Sequence, residues 1–217
     1  MLEKLKKRLY SIYSKDFFSF MHGYPTKFRR NYCYLKYKMK YPDLPHPSNI
    51  YMVSPDKINH TLGNRFLPNK RPKYGVLGGK WDLKKERFEN TVFKGLFERF
   101  KEGKKWEDTI YFRKASKMIK NGEKFNPLSS NYENSLKGLK TYLGYLDQLF
   151  QDIKKKGYDK RFPIRVHVGR EGSIMTKQGN HRTCMSKIIG IDEIPVKVTY
   201  WHKKFIKNKS PCFDLKK

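Results

Sequence analysis

Leu2, Leu5, Leu9, Ile12, Tyr13, Phe17 and Phe20 fall at short, mostly three- and four-residue steps, with Lys4, Lys6, Lys7, Arg8 and Lys15 filling the intervening positions. This spacing predicts an amphipathic basic helix. Gly23 and Pro25 break it, and a second basic helix is expected over Lys27 to Tyr41, with Phe28, Tyr32, Leu35 and Met39 on one side. Pro42, Pro45 and Pro47 then form a connector that no helix continues through. Ile50 to Val53 reads as a short strand, and Ser54-Pro55-Asp56 as the cap and first turn of a helix over Lys57 to Leu62.

Further on, Tyr74 to Asp82 reads as a strand entering a glycine turn. A core helix is expected over Thr91 to Phe100, with Phe93, Leu96, Phe97 and Phe100 together, and a second through Tyr111 to Ile119, ended by Asn121-Gly122. A longer one, Glu133 to Lys156, carries Leu136, Leu139, Leu143, Leu146, Leu149, Phe150 and Ile153, with Gly157 at its end. From Ile164 the period changes to two. Ile164, Val166 and Val168 alternate with Arg165 and His167, and Gly169-Arg170-Glu171-Gly172 turns the chain into a second strand at Ser173 to Thr176. A short helix follows, with Met185, Ile188 and Ile189 buried and Gly190 closing it, and then a strand over Ile194 to Tyr200.

Charge adds a constraint that the pattern does not. Lys and Arg outnumber Asp and Glu by 49 to 20, a formal excess of +29 that attracts any polyanion, whether nucleic acid, an anionic membrane surface or a phosphorylated small molecule. The opposing reading is a lysine-rich solvated surface with no dedicated partner. Cys33, Cys184 and Cys212 are too far apart for a CxxC zinc site and odd in number, so neither a metal site nor a disulfide framework is expected. No run reaches the ~18 apolar residues of a membrane span, and no secretory signal is evident, so a cytoplasmic protein is expected.

Candidate chemistry gathers at Gly179-Asn180-His181-Arg182, where the short helix begins. The free N–H groups and dipole of a helix's first turn attract an anion. Gly179 permits close approach, Asn180 is expected to cap the helix, Arg182 offers a planar fork to phosphate oxygens, and His181 serves phosphate or the loop. Catalysis would also need a carboxylate to position Mg²⁺ or deprotonate an acceptor. Asp82, Glu107, Asp108 and Glu171 are the candidates, Glu171 the weakest because it sits in a turn and Asp108-Thr109 equally suited to capping a helix. Trp81 and Trp106 are expected in the core. His167, His181 and His202 are too far apart in sequence to suggest a metal site, though the first two could meet across the hairpin, and no metal ligand is assigned.

The ordered combination of hairpin, Gly-x-His-Arg, short helix, Gly190 and Ile194-Pro195-Val196 resembles the ParB/sulfiredoxin superfamily. Upstream, Ser54-Pro55-Asp56-Lys57-Ile58, Gly78-Gly79-Lys80-Trp81-Asp82 and Glu102-Gly103-x-x-Trp106-Glu107-Asp108-Thr109 look like a ParB-like subgroup. The resemblance implies an α+β fold, a small mixed sheet with helices packed around it over residues 48–205 and a phosphate motif over 169–198; the residue pattern adds an N-terminal helical extension over 1–41 and a basic tail over 206–217. It also implies a bound nucleotide, with Gly179, His181 and Arg182 near its phosphates. Sulfiredoxin has its catalytic cysteine where this chain has Asn180, so sulfinic-acid reduction is not expected. A centromere-reading clamp has a Gly-Glu-Arg-Arg turn and a following helix-turn-helix domain, and this chain shows neither.

The leading expectation is therefore a protein that binds ATP or CTP with Mg²⁺ and hydrolyses or transfers a phosphoryl group, acting on or beside nucleic acid. The alternative is a non-catalytic DNA- or RNA-binding protein that uses its basic surface and N-terminal helices; a membrane-surface role for those helices is a third. A nuclease has no support from any cluster of carboxylates.

Overall fold

The computed structural model describes residues 26–62, 67–68, 72–87, 92–125 and 132–208. The helix expected over residues 2–20 and most of the basic tail lie outside the described residues.

Among the described residues seven strands share one mixed sheet. They are β1 (Tyr51–Val53), β2 (His60–Thr61), β3 (Gly75–Leu77), β4 (Glu86–Arg87), β5 (Ile164–Val168), β6 (Ile174–Gln178) and β7 (Ile194–His202). The order is β1-β7-β5-β6-β2-β4, with β3 also paired to β7. β7 is thus the hub: β1 runs antiparallel along its first half, β3 parallel along its second, and β5 parallel along its other edge. The hairpin β5–β6 is antiparallel, as the alternation predicts, and β2 joins β6 in parallel.

The helices are α1 (Thr26–Lys38), α2 (Val92–Phe100), α3 (Ile110–Lys120), α4 (Leu136–Lys156), α5 (Asn180–Ile189) and α6 (Lys203–Asn208). α4 forms because Leu139, Tyr142, Leu143, Leu146, Phe150 and Ile153 recur at helical spacing and all are buried. Its ends are specified locally. Ser135 accepts a hydrogen bond from Gly138 N–H, and Gly157 closes the helix at φ +75°. Together with Leu96 of α2, Ala115 of α3 and Cys184 and Met185 of α5, these side chains cover Ile164, Val166, Val168, Ile194 and Val196 of the sheet. Each fully buried Leu, Ile or Met in that layer contributes about 1.5–3 kcal/mol. α1 is not a detached arm: its Cys33, and Tyr41 just after it, are buried in this core, and Tyr37 lies against Gly75, where no larger residue fits.

The other face of the sheet has a smaller core of Leu62, Leu67, Leu77, Trp81, Met175 and Tyr200. Covering both faces explains a departure from simple alternation. His167 and Val168 are consecutive and both buried, and the register slips between Val166 and His167 where β5 meets β7.

Three expectations need correction. The segment after Ser54 makes only a 3₁₀ turn, Pro55–Lys57, before entering β2, because its next polar pair, His60 and Thr61, joins the edge of β6. β7 continues to His202, and α6 follows where a tail was expected to start. His167 and His181 do not meet: the first stacks on Tyr200 at 4.9 Å, and the second belongs to the helical layer.

Candidate functional site

β6 delivers the chain to Gly179, which takes a left-handed conformation at φ +102° and starts α5. The first intrahelical bond is Thr183 N–H to Gly179 C=O at 3.0 Å, so the N–H groups of Asn180, His181 and Arg182 belong to the open first turn. No side chain caps this end. A Cβ at position 179 would stand 2.6 Å from Ile164 Cδ1 and 3.4 Å from Arg182 Nη2, which shows how closely the guanidinium approaches the glycine turn.

Asn180 is not the cap. Residue 179 holds that position, and the Asn180 side chain turns back to the sheet, accepting from Thr176 Oγ1 at 2.5 Å and donating to Thr61 Oγ1 at 3.3 Å. These bonds fasten α5 to β6 and β2. His181 reaches the helical layer instead, hydrogen-bonded through Nε2 to the Tyr111 hydroxyl at 2.9 Å, with the Tyr142 hydroxyl 3.4 Å from the same nitrogen. Burial pushes its pKa down to about 4, so the ring is neutral at ordinary pH. The same burial raises Tyr142 to about 12 and Tyr111 well above its usual value, keeping both hydroxyls protonated. His181 therefore holds the loop through two tyrosines.

Arg182 gives Nη1 hydrogen bonds to the Tyr158 hydroxyl at 2.9 Å and to Phe162 C=O at 2.5 Å, and its guanidinium lies 5.9 Å from the Tyr158 ring centre. Burial raises the Tyr158 hydroxyl to about 12 despite the nearby cation. Arg182 thus links the first turn of α5 to the loop that enters β5.

Of the carboxylates, Glu107 and Asp108 lie exposed on the 3₁₀ turn Trp106–Asp108, immediately before α3, whose Tyr111 binds His181. Lys140 of α4 is 3.8 Å from Glu107. Thr109, not Asp108, caps α3, accepting from Phe112 N–H. Asp82 is elsewhere. It is 3% exposed and receives Arg170 Nε at 2.8 Å, Arg170 Nη2 at 2.7 Å and Arg170 N–H at 2.9 Å. Burial opposes its ionisation, but the Arg170 hydrogen bonds outweigh burial and hold the carboxyl below its usual range. Arg170 sits in the turn before β6 and Gly179 just after it. Five residues of strand put on the order of 15 Å between Asp82 and the α5 first turn. Glu171 stays in that same turn.

Several partners were invisible to sequence reasoning. Glu98 is buried and accepts from Ile110 N–H at 2.6 Å, while Asp147 accepts from Arg99 at 2.9 Å and from Trp106 Nε1 at 3.0 Å. The available signal for Asp147 was a carboxylate directly after Leu146 on the apolar side of α4. Trp81 and Trp106 are core residues, as expected. Among the described residues no three His, Cys, Asp or Glu side chains gather as a metal would require, and no described helix is long and apolar enough to cross a membrane. Comparisons of the chain with protein-family models, with curated proteins and with solved structures gave no match, so the site is read from its own chemistry.

Proposed function

We propose that the chain is a nucleotide-binding protein of the ParB/sulfiredoxin type, in which the first turn of α5 holds the phosphates of ATP or CTP and a phosphoryl group is hydrolysed or transferred. The observation that carries this reading is the uncapped start of α5 at a left-handed glycine with Arg182 Nη2 beside it. In this reading three backbone N–H groups and the helix dipole face the anion, with the guanidinium beside the glycine turn. Asn180 and His181 hold that turn rigid from the sheet side and the helix side, which is the preorganisation that electrostatic stabilisation of a phosphoryl group needs.

Mg²⁺ commonly binds through one or two carboxylates together with phosphate oxygens and water, so the absence of a three-residue cluster among the described residues is compatible with it. Of the four candidate carboxylates, Glu107 and Asp108 directly precede α3, whose Tyr111 binds His181, and the metal would supply charge neutralisation on the phosphate oxygens. Asp82, committed to Arg170 beyond the far end of β6, is left out of this reading.

The test is calorimetric titration of the intact chain with ATP, CTP and GTP plus Mg²⁺, against Arg182→Ala. Saturable binding of one nucleotide that disappears in a folded Arg182→Ala protein is the expected result. No binding of any nucleotide to the folded parent chain would overturn the proposal.

A further inference from the structure

Residues 154–165 contain Lys154, Lys155, Lys156, Lys160, Arg161 and Arg165 against a single acid, Asp159. All six cations are exposed. Asp152 engages Lys156 at 3.2 Å and Asp159 engages Arg161 at 2.7 Å, while Lys154, Lys155 and Lys160 make no ion pair among the described residues. In the middle of this run the Phe162 ring is 59% exposed, with the Arg161 guanidinium 5.8 Å from its centre.

An exposed ring on a loose loop would mean little, but this one is on a fixed backbone. The Phe162 carbonyl accepts from both Arg182 Nη1 and the Tyr158 hydroxyl, the latter at 2.9 Å, and Ile164, two residues on, is fully buried in β5. The loop therefore presents an aromatic face to water while its backbone is held by two side chains. Ordering a base on such a ring carries little conformational cost, because the platform is already in place.

We propose that this surface binds single-stranded nucleic acid, with backbone phosphates on Lys154, Lys155 and Lys160 and an unpaired base stacked on Phe162 and Arg161. Cationic side chains tracking a backbone beside an exposed aromatic ring form the combination that single strands use, and a duplex has no free base to offer. An anionic membrane fits less well. The ring is flanked by Lys160, Arg161 and Pro163, so a single apolar side chain would enter the lipid, where interfacial binding depends on a broad apolar face. The proposal does not depend on nucleotide binding at α5; the two share only the loop contact made by Arg182.

Fluorescence anisotropy of the full chain with a labelled single strand of about twenty nucleotides, as RNA and as DNA, and with the matching duplex tests it. Single strands are expected to bind more tightly than duplex, and the preferred sugar identifies the natural strand. Phe162→Ala weakens single-strand binding by about tenfold and leaves duplex binding unchanged. The triple variant Lys154→Gln, Lys155→Gln, Lys160→Gln lowers the log–log salt slope by about two, more than Lys80→Gln, Lys84→Gln, Lys85→Gln at the Asp82 end of the sheet. All of these side chains are exposed, and circular dichroism confirms folding. Equal affinity for single strand and duplex with no effect of Phe162→Ala reduces the surface to non-specific charge and overturns the proposal. So does co-sedimentation with phosphatidylserine vesicles that requires Phe162 while single-strand binding does not.

Discussion

His181 is a side chain whose ionisation burial moves within the acid range. A histidine with an ordinary value near 6.5 in the unfolded chain and about 4 in the folded protein binds its proton more readily when unfolded. Its contribution to stability is therefore complete above pH ~6.5 and lost as pH falls through about 4. Denaturant unfolding across this window is expected to show a decline on the order of 2–3 kcal/mol that flattens in His181→Gln. The glutamine variant keeps a hydrogen-bonding group near Tyr111 but has no proton to gain. If the wild-type profile shows no loss specific to His181, the ring is not held neutral by its burial.

At the scale of elements, α5 depends on one backbone angle. Gly179 sits at φ +102°, and a methyl group there meets Ile164 Cδ1. Gly179→Ala is expected to cost about 1–3 kcal/mol, read as a lower midpoint in thermal or denaturant unfolding. Gly190→Ala, also left-handed but with open space around the added methyl group, isolates the cost of the angle alone. α5 was legible in the sequence because a glycine, a polar first turn, three spaced apolar residues and a closing glycine fall in order. The identity of its cap was not. Asn180 is a good cap by type, but Thr61, distant in sequence, recruits its amide to the sheet. Similarly, α4 and the β5–β6 hairpin follow from periodicity, whereas the 3₁₀ turn at Pro55–Lys57 escaped because strand pairing to β6 overrode a locally adequate helix start. The candidate site was legible only as a loop: which side chains Arg182 and His181 meet depends on Tyr158, Phe162, Tyr111 and Tyr142, brought in by separate elements.

At the scale of the molecule, Asp82 joins three remote stretches. Arg170 of the hairpin turn binds both its carboxylate and Gly79 C=O, and the latter also receives His202 Nε2 at 3.1 Å. His202 Nδ1 in turn accepts from Lys204 N–H, fixing the tautomer. Because the folded protein holds Asp82 below its usual carboxylate range, the associated stability is present above the unfolded value near 4 and lost as pH falls through the lower folded value. Arg170→Ala leaves a nearly buried carboxylate without its counter-ion and is expected to cost about 3–5 kcal/mol in denaturant unfolding. Asp82→Asn in the Arg170→Ala background should recover part of that loss. A single-variant cost below about 1 kcal/mol would mean that the clamp contributes little to holding the sheet's second face.

β7 has a consequence for how the protein is made. A ribosome releases β1 and β3 more than a hundred residues before β7, yet in the finished sheet both lie along β7. Until that late strand emerges, neither has its final partner, and β5 has only β6. Completion of the sheet is thus deferred until β7 has been made, when one nine-residue segment closes contacts with three others. Unpaired strand edges persist on the nascent chain for that interval, and they are the surfaces a holding chaperone would have to cover.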